Sequence, residues 1–271
     1  MFEFTVARAG VELSGEESGA GVPVVLAHGL TATRRYVVMG SRALERGGHR
    51  VVGYDARGHG RSGPAEDYGY AALAADLLAV LDARGIGRAV LAGASMGAHT
   101  IVRLALDHGD RVAGLVLITP AFTPEADDTD LERWDALADG LRDGGVEGFV
   151  AAYGEPDVPE AWRTTIAKVL RQRLSAHEHP EAVADALSAV PRSRAFESWS
   201  ELGELGELAL PTVVVASRDA ADPGHPYAVA ERYAREIPGA ELLCEEPGSS
   251  PLAWQGGQLS KVIATLAERA A

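Results

Sequence analysis

Cysteine is nearly absent. Cys244 stands alone, so no intrachain disulfide can form. It lies in the apolar run "ELLCEE", which reads as a buried, unreactive thiol. Positive charge is also short. There are 25 Lys and Arg against 39 Asp and Glu, a formal net charge of -14 at pH 7. That balance argues against a nucleic-acid partner, because cations supply most of the affinity for a phosphate backbone. No apolar run approaches the roughly 20 residues a membrane-spanning helix needs. The first residues, "MFEFTVARAG", have neither the basic nor the apolar segment of a secretory leader. The expectation is a cytoplasmic protein without membrane partners. Lysine is scarce beside alanine and arginine, a usage that fits a high-GC bacterial source. Histidine is missing from one stretch as well, since none follows His225.

The chain has 271 residues, 46% of them apolar, enough for one large domain with an insertion. Short apolar runs alternate with helical periodicity. Strands are expected at 2–6, 11–13, 23–28, 50–55, 88–93 and 112–119, with helices over 32–48, 70–85 and 95–109. Such alternation implies βαβ crossovers and a mainly parallel sheet. From Pro120 to Leu208 the strands stop and only helical segments appear. The sheet then resumes at 211–217 and 240–246, with helices at 226–237 and 256–270. The expected organisation is a core of 1–120 and 209–271, with a helical insertion at 121–208.

The sharpest motif is "GASMG" (93–97), a G-x-S-x-G between a strand and a helix. That context calls for a tight turn that lifts the Ser95 hydroxyl above the sheet edge, with Gly93 and Gly97 allowing close backbone approach. The helix N-terminus beneath it adds positive potential for a developing oxyanion. "AHGLTA" (27–32) follows the third strand. A backbone N–H from Leu30, paired with that of Met96, would form an oxyanion hole. His28 is expected to brace this loop.

These motifs, together with "DARGHGRS" (55–62) and the strand ending "ASRD" (216–219), resemble the α/β-hydrolase family over nearly the whole chain. The resemblance implies an eight-stranded, mostly parallel sheet with a helical cap after the sixth strand. It implies a catalytic acid after the seventh strand, where Asp219 is the natural match and Asp222 the competitor. Asp222 also reads as a helix cap. The family's histidine follows the eighth strand, but that position falls at Ser249 in "EPGSSP". Serine has no pKa near neutrality and cannot take and return the nucleophile's proton.

The remaining histidines are the candidates for that role. His99 reads as packed one turn deeper on the nucleophile's helix, and His59 as structural. His177 and His179 read as a surface turn. His225, in "DPGHP" beside the acid, is the candidate relocated base; otherwise it caps the following helix. His28, Gly29, Ser249 and Trp254 are expected to border the substrate, with Trp134, Phe149 and Trp162 as further wall candidates. Three functions remain open: a serine hydrolase of a small ester, lactone or thioester; a non-hydrolytic cyclase, lyase or isomerase of secondary metabolism; and a catalytically silent ligand-binding protein. No cofactor or metal is expected. The partners expected are a small-molecule substrate and, at most, a second copy of the chain in a homodimer.

Overall fold

A computed structural model describes residues 1–124, 128–155, 158–198, 203–218 and 222–270. Eight strands form one sheet: β1 (Phe2–Arg8), β2 (Val11–Ser18), β3 (Val22–Ala27), β4 (His49–Tyr54), β5 (Ala89–Ala94), β6 (Val112–Ile118), β7 (Thr212–Val215) and β8 (Glu241–Leu243). Their order across the sheet is β1-β2-β4-β3-β5-β6-β7-β8. The β1–β2 and β2–β4 pairs are antiparallel, and every later pair is parallel. This is the eight-stranded, mostly parallel sheet that the resemblance implied.

Eight helices accompany the sheet among the described residues: α1 (Ala43–Arg46), α2 (Tyr70–Ala83), α3 (Met96–Asp107), α4 (Asp128–Tyr153), α5 (Glu160–Leu174), α6 (Pro180–Ala189), α7 (Tyr227–Glu236) and α8 (Gly256–Ala270). Successive strand side chains point to opposite faces. Val25, Leu91, Leu115 and Val214 therefore pack with α2, α3 and α7, while Val24, Val90, Val116 and Val213 pack with Leu44 of α1 and Leu259 and Ile263 of α8. Burial on both faces explains why these strands read as continuous apolar runs.

One expected helix does not form. The stretch 32–48 holds only a short 3-10 turn, Arg34–Tyr36, and the four-residue α1. Met39 and Gly40 both take positive φ, 49° and 72°, which breaks the helix between them. Helices α4 to α6 occupy the interval between β6 and β7. Leu141, Phe149, Leu174 and Leu187 from them join the same apolar cluster as α2 and α3. The insertion thus continues the core on that side of the sheet. None of the described helices is long and apolar enough to cross a membrane.

Candidate active site

Ser95 sits between β5 and α3 with φ 50° and ψ −115°, a left-handed conformation that is uncommon for a side-chain-bearing residue. Its N–H donates to the Ile118 carbonyl at 2.9 Å, which anchors the turn on β6. The flanking glycines are sterically required. A Cβ on Gly93 would lie 2.3 Å from the Gly97 carbonyl oxygen, and one on Gly97 would lie 2.1 Å from that of Ala27. Thr119, at the end of β6, also has positive φ, 43°. Non-glycine outliers of this kind gather at functional sites.

The loop after β3 lies against this turn, since a Cβ on Gly29 would meet the Ser95 Cβ at 3.5 Å. Three histidines from three segments stand on three successive carbonyls of the loop. His28 Nδ1 lies 2.9 Å from the Gly29 oxygen, His59 Nε2 lies 2.7 Å from that of Leu30, and His177 Nε2 lies 3.3 Å from that of Thr31. His28 Nε2 accepts from Ala56 N–H, and His177 Nδ1 from Gly60 N–H. Each of these two rings therefore carries its proton on the nitrogen facing the loop. The Gly29 carbonyl also accepts from Ala32 N–H at 2.9 Å. Across a trans peptide this turns the Leu30 N–H the opposite way. That N–H finds no protein acceptor among the described residues. Met96 is the first residue of α3, so its N–H has no partner within the helix.

Burial keeps these rings neutral. It pushes His177 down to about 3, with a further push from His59, and holds His28 well below the ordinary histidine value. His59 is held down by burial against the upward pull of the Arg57 and Leu30 carbonyls. The structure thus corrects the reading of His177 as a surface residue: it is buried, whereas His179 is half-buried. The "DARGHGRS" segment is a brace. Arg57 makes a two-pronged ion pair with Asp76, both side chains buried, and Asp55 accepts from the backbone of Arg34 and Arg61.

The acid expected at Asp219 lies outside the described residues. The carboxylate on His225 is Asp222: Oδ1 stands 2.7 Å from Nδ1, with side chains 17% and 24% exposed. Burial pushes the Asp222 carboxyl up, but His225 and Arg173 outweigh it and leave it below its usual value. Burial likewise depresses His225, yet the Asp222 carboxylate wins and raises it. Donation from Nδ1 leaves Nε2 as the ring's acceptor. The His225 charge is felt at His99, one turn beyond Ser95 on α3. No hydrogen bond joins Ser95 Oγ to His225 among the described residues.

His99 itself is committed to packing. Its Nε2 accepts from the N–H groups of Ala121 and Phe122, its Nδ1 bonds the Tyr70 hydroxyl, and burial lowers it to about 3. Ser249 does not fit the pocket position expected of it. It is exposed on a turn closed by its N–H to the Glu246 carbonyl. Glu245, just before that turn, is buried and accepts from the N–H groups of Arg218 and Leu252, tying the β8 loop to the β7 loop. Trp254 meets Trp162 of α5 edge-on at 5.5 Å, so it forms a contact with the insertion. Phe149 is core, stacked on Tyr153. Two open surface depressions, one bordered by Arg8 and Asp67 and one by Thr33 and Arg61, do not include Ser95.

Residues 22–250 match the family model described as alpha/beta hydrolase fold. A Variovorax paradoxus (strain S110) protein provisionally named carbamate hydrolase RutD is 33% identical over 202 residues, 73% of this chain and 74% of its own. Among solved structures, a thermophilic esterase from Thermogutta terrifontis is 27% identical with a TM-score of 0.80, covering 100% of this chain and 99% of its own. Est816, described as an N-acyl homoserine lactone degrading enzyme, is 26% identical with a TM-score of 0.74, covering 97% of this chain and 98% of its own.

Proposed function

Because this chain belongs to the α/β-hydrolase fold family, we propose that it is a serine hydrolase of a small ester, lactone or thioester, with Ser95 as nucleophile. The observation that carries this reading is the His225–Asp222 pair, which offers the proton acceptor that Ser249 cannot be. Ser95 Oγ attacks the carbonyl carbon and passes its proton to His225 Nε2. The oxyanion accepts from the Leu30 and Met96 N–H groups, where preorganised donors act without reorganisation. As the tetrahedral adduct collapses, the leaving oxygen or sulfur takes the proton back from His225. Water then repeats the sequence on the acyl-enzyme. Asp222 holds the imidazole in the required tautomer and stabilises the imidazolium. Helices α4 to α6 act as the cap over this centre, and Trp162 and Trp254 close one side of it. Catalytic hydrogen bonds in unliganded sites commonly tighten only when substrate binds, which accounts for the missing Ser95–His225 bond.

That missing bond also favours a second reading, a cyclase, lyase or isomerase that uses the oxyanion donors without an acyl-enzyme. A fluorophosphonate probe separates the two. It should label the wild-type protein and not Ser95→Ala, and His225→Ala should lower both labelling and ester turnover. No labelling of the wild type, with ester turnover unchanged in Ser95→Ala, would sink the hydrolase reading.

A further inference from the structure

Helix α5 carries three arginines, and two of them are occupied. Arg163 Nε donates to the Val158 carbonyl at 3.0 Å, and Arg171 grips Glu147 with two bonds of 2.7 Å. Arg173 differs. Its guanidinium has no hydrogen bond and no ion-pair contact among the described residues, and its Nε is buried without a partner. The group lies over the Tyr36 ring, 5.4 Å from the centroid. Its field reaches the Asp222 and His225 side chains.

These neighbours fix its place. Tyr36 follows the loop after β3, and Asp222 and His225 follow β7. In the sheet order, β5 and β6 lie between those strands, and Ser95 ends β5. The guanidinium therefore sits between the loop after β3 and the segment after β7, the two segments that flank the β5 and β6 ends. A cation taken out of water with unfilled donors is costly to maintain. The guanidinium carbon lies over the Tyr36 ring, and the N–H edge of the group has no acceptor among the described residues. That edge matches a carboxylate in a two-pronged contact.

Resting on the serine-hydrolase reading above, we propose that Arg173 is a carboxylate-recognition residue and that the substrates are esters or lactones carrying a free carboxylate remote from the scissile carbonyl. A monoanion suits the site better than a phosphate dianion, because the Asp222 carboxylate already lies within the field of the single guanidinium.

The test joins turnover to binding. Wild-type kcat/KM is compared on the mono-4-nitrophenyl ester of adipic acid and on its neutral methyl ester. The charged substrate should be preferred by about 10- to 100-fold, the range of a charge-assisted hydrogen-bond pair. In Arg173→Met the preference should collapse towards unity, and Arg173→Lys should keep part of it. Binding of adipate to Ser95→Ala, read by titration calorimetry, should weaken at least tenfold in Ser95→Ala/Arg173→Met. A thermal melt checks folding, and the lysine variant answers if the methionine variant does not fold. Ser95-dependent hydrolysis with no preference for the charged ester would overturn the carboxylate assignment and leave the hydrolase reading standing. Arg173-dependent adipate binding without any turnover would uphold the assignment and remove the hydrolase reading. Inorganic phosphate binding tighter than adipate would overturn it.

Discussion

His225 and Asp222 are joined twice across one tight turn. The His225 N–H donates to the Asp222 carbonyl at 3.1 Å, and the side chains meet at 2.7 Å. A histidine and a carboxylate three residues apart make a local unit that, as the proposed base and its acid partner, needs nothing from the loop after β8. That loop is accordingly free to serve as a strut, with Glu245 tying it to the β7 loop.

The pair sets a pH dependence. Asp222 raises His225 above the ordinary histidine value, and only the neutral ring can accept the Ser95 proton. The acid limb of kcat/KM should therefore lie above pH 6.5, with activity appearing as the pH rises through it. Asp222→Asn should move that limb to lower pH and cut kcat by about 100-fold or more. A limb that stays put in Asp222→Asn would show that another group is the base. Stability runs the opposite way for this ring: the pair's contribution is full below the unfolded pKa and fades as pH rises through the raised folded value.

His177 has the opposite linkage. Its folded value is pushed down to about 3, so it contributes fully above about 6.5 and loses that contribution as the pH falls towards 3. Urea midpoints measured from pH 7.5 to 4.5 should fall for the wild type. His177→Gln keeps an acceptor for Gly60 N–H without titrating, and its midpoints should fall less steeply. His177→Ala orphans that buried N–H and should cost about 1–3 kcal/mol at pH 7.5. It should also lower kcat, because the Thr31 carbonyl loses its donor. Identical pH slopes for wild type and His177→Gln would remove His177 from the account.

Gly97→Ala probes the serine turn. The added Cβ would stand 2.1 Å from the Ala27 oxygen and 2.9 Å from that of His28, so the β3 loop must move. Overpacking of this kind costs about 1–3 kcal/mol. A shift of about 1 Å at the oxyanion donors should lower kcat on the order of 100-fold. Near-normal kcat in a folded Gly97→Ala protein would show that the loop's position is not critical.

Ser95 was legible in the sequence because G-x-S-x-G is a steric requirement written in residue types. The parallel strands were legible because burial on both faces demands unbroken apolar runs. The helix over 32–48 was misread because its apolar spacing suits a helix, while the positive φ of Met39 and Gly40 leaves no mark in a hydropathy pattern. His177 and Arg173 were read past for a different reason. "RQRLSAHEH" has the charge pattern of a solvated helix end, and nothing local distinguishes Arg173 from Arg171. Which of the two meets a glutamate and which lies over Tyr36 is decided by how α5 packs.

The sequence by itself determined the sheet, the serine turn and the lack of a histidine after β8, because each depends on short-range sterics or on the presence of a residue type. Only the tertiary structure decided that His225 bonds Asp222 and that three histidines brace successive carbonyls of one loop. It also decided that Arg173 lies over Tyr36 with no hydrogen-bond acceptor among the described residues. The pair apart, those are relations between segments as far as 146 residues apart, and only packing brings them together.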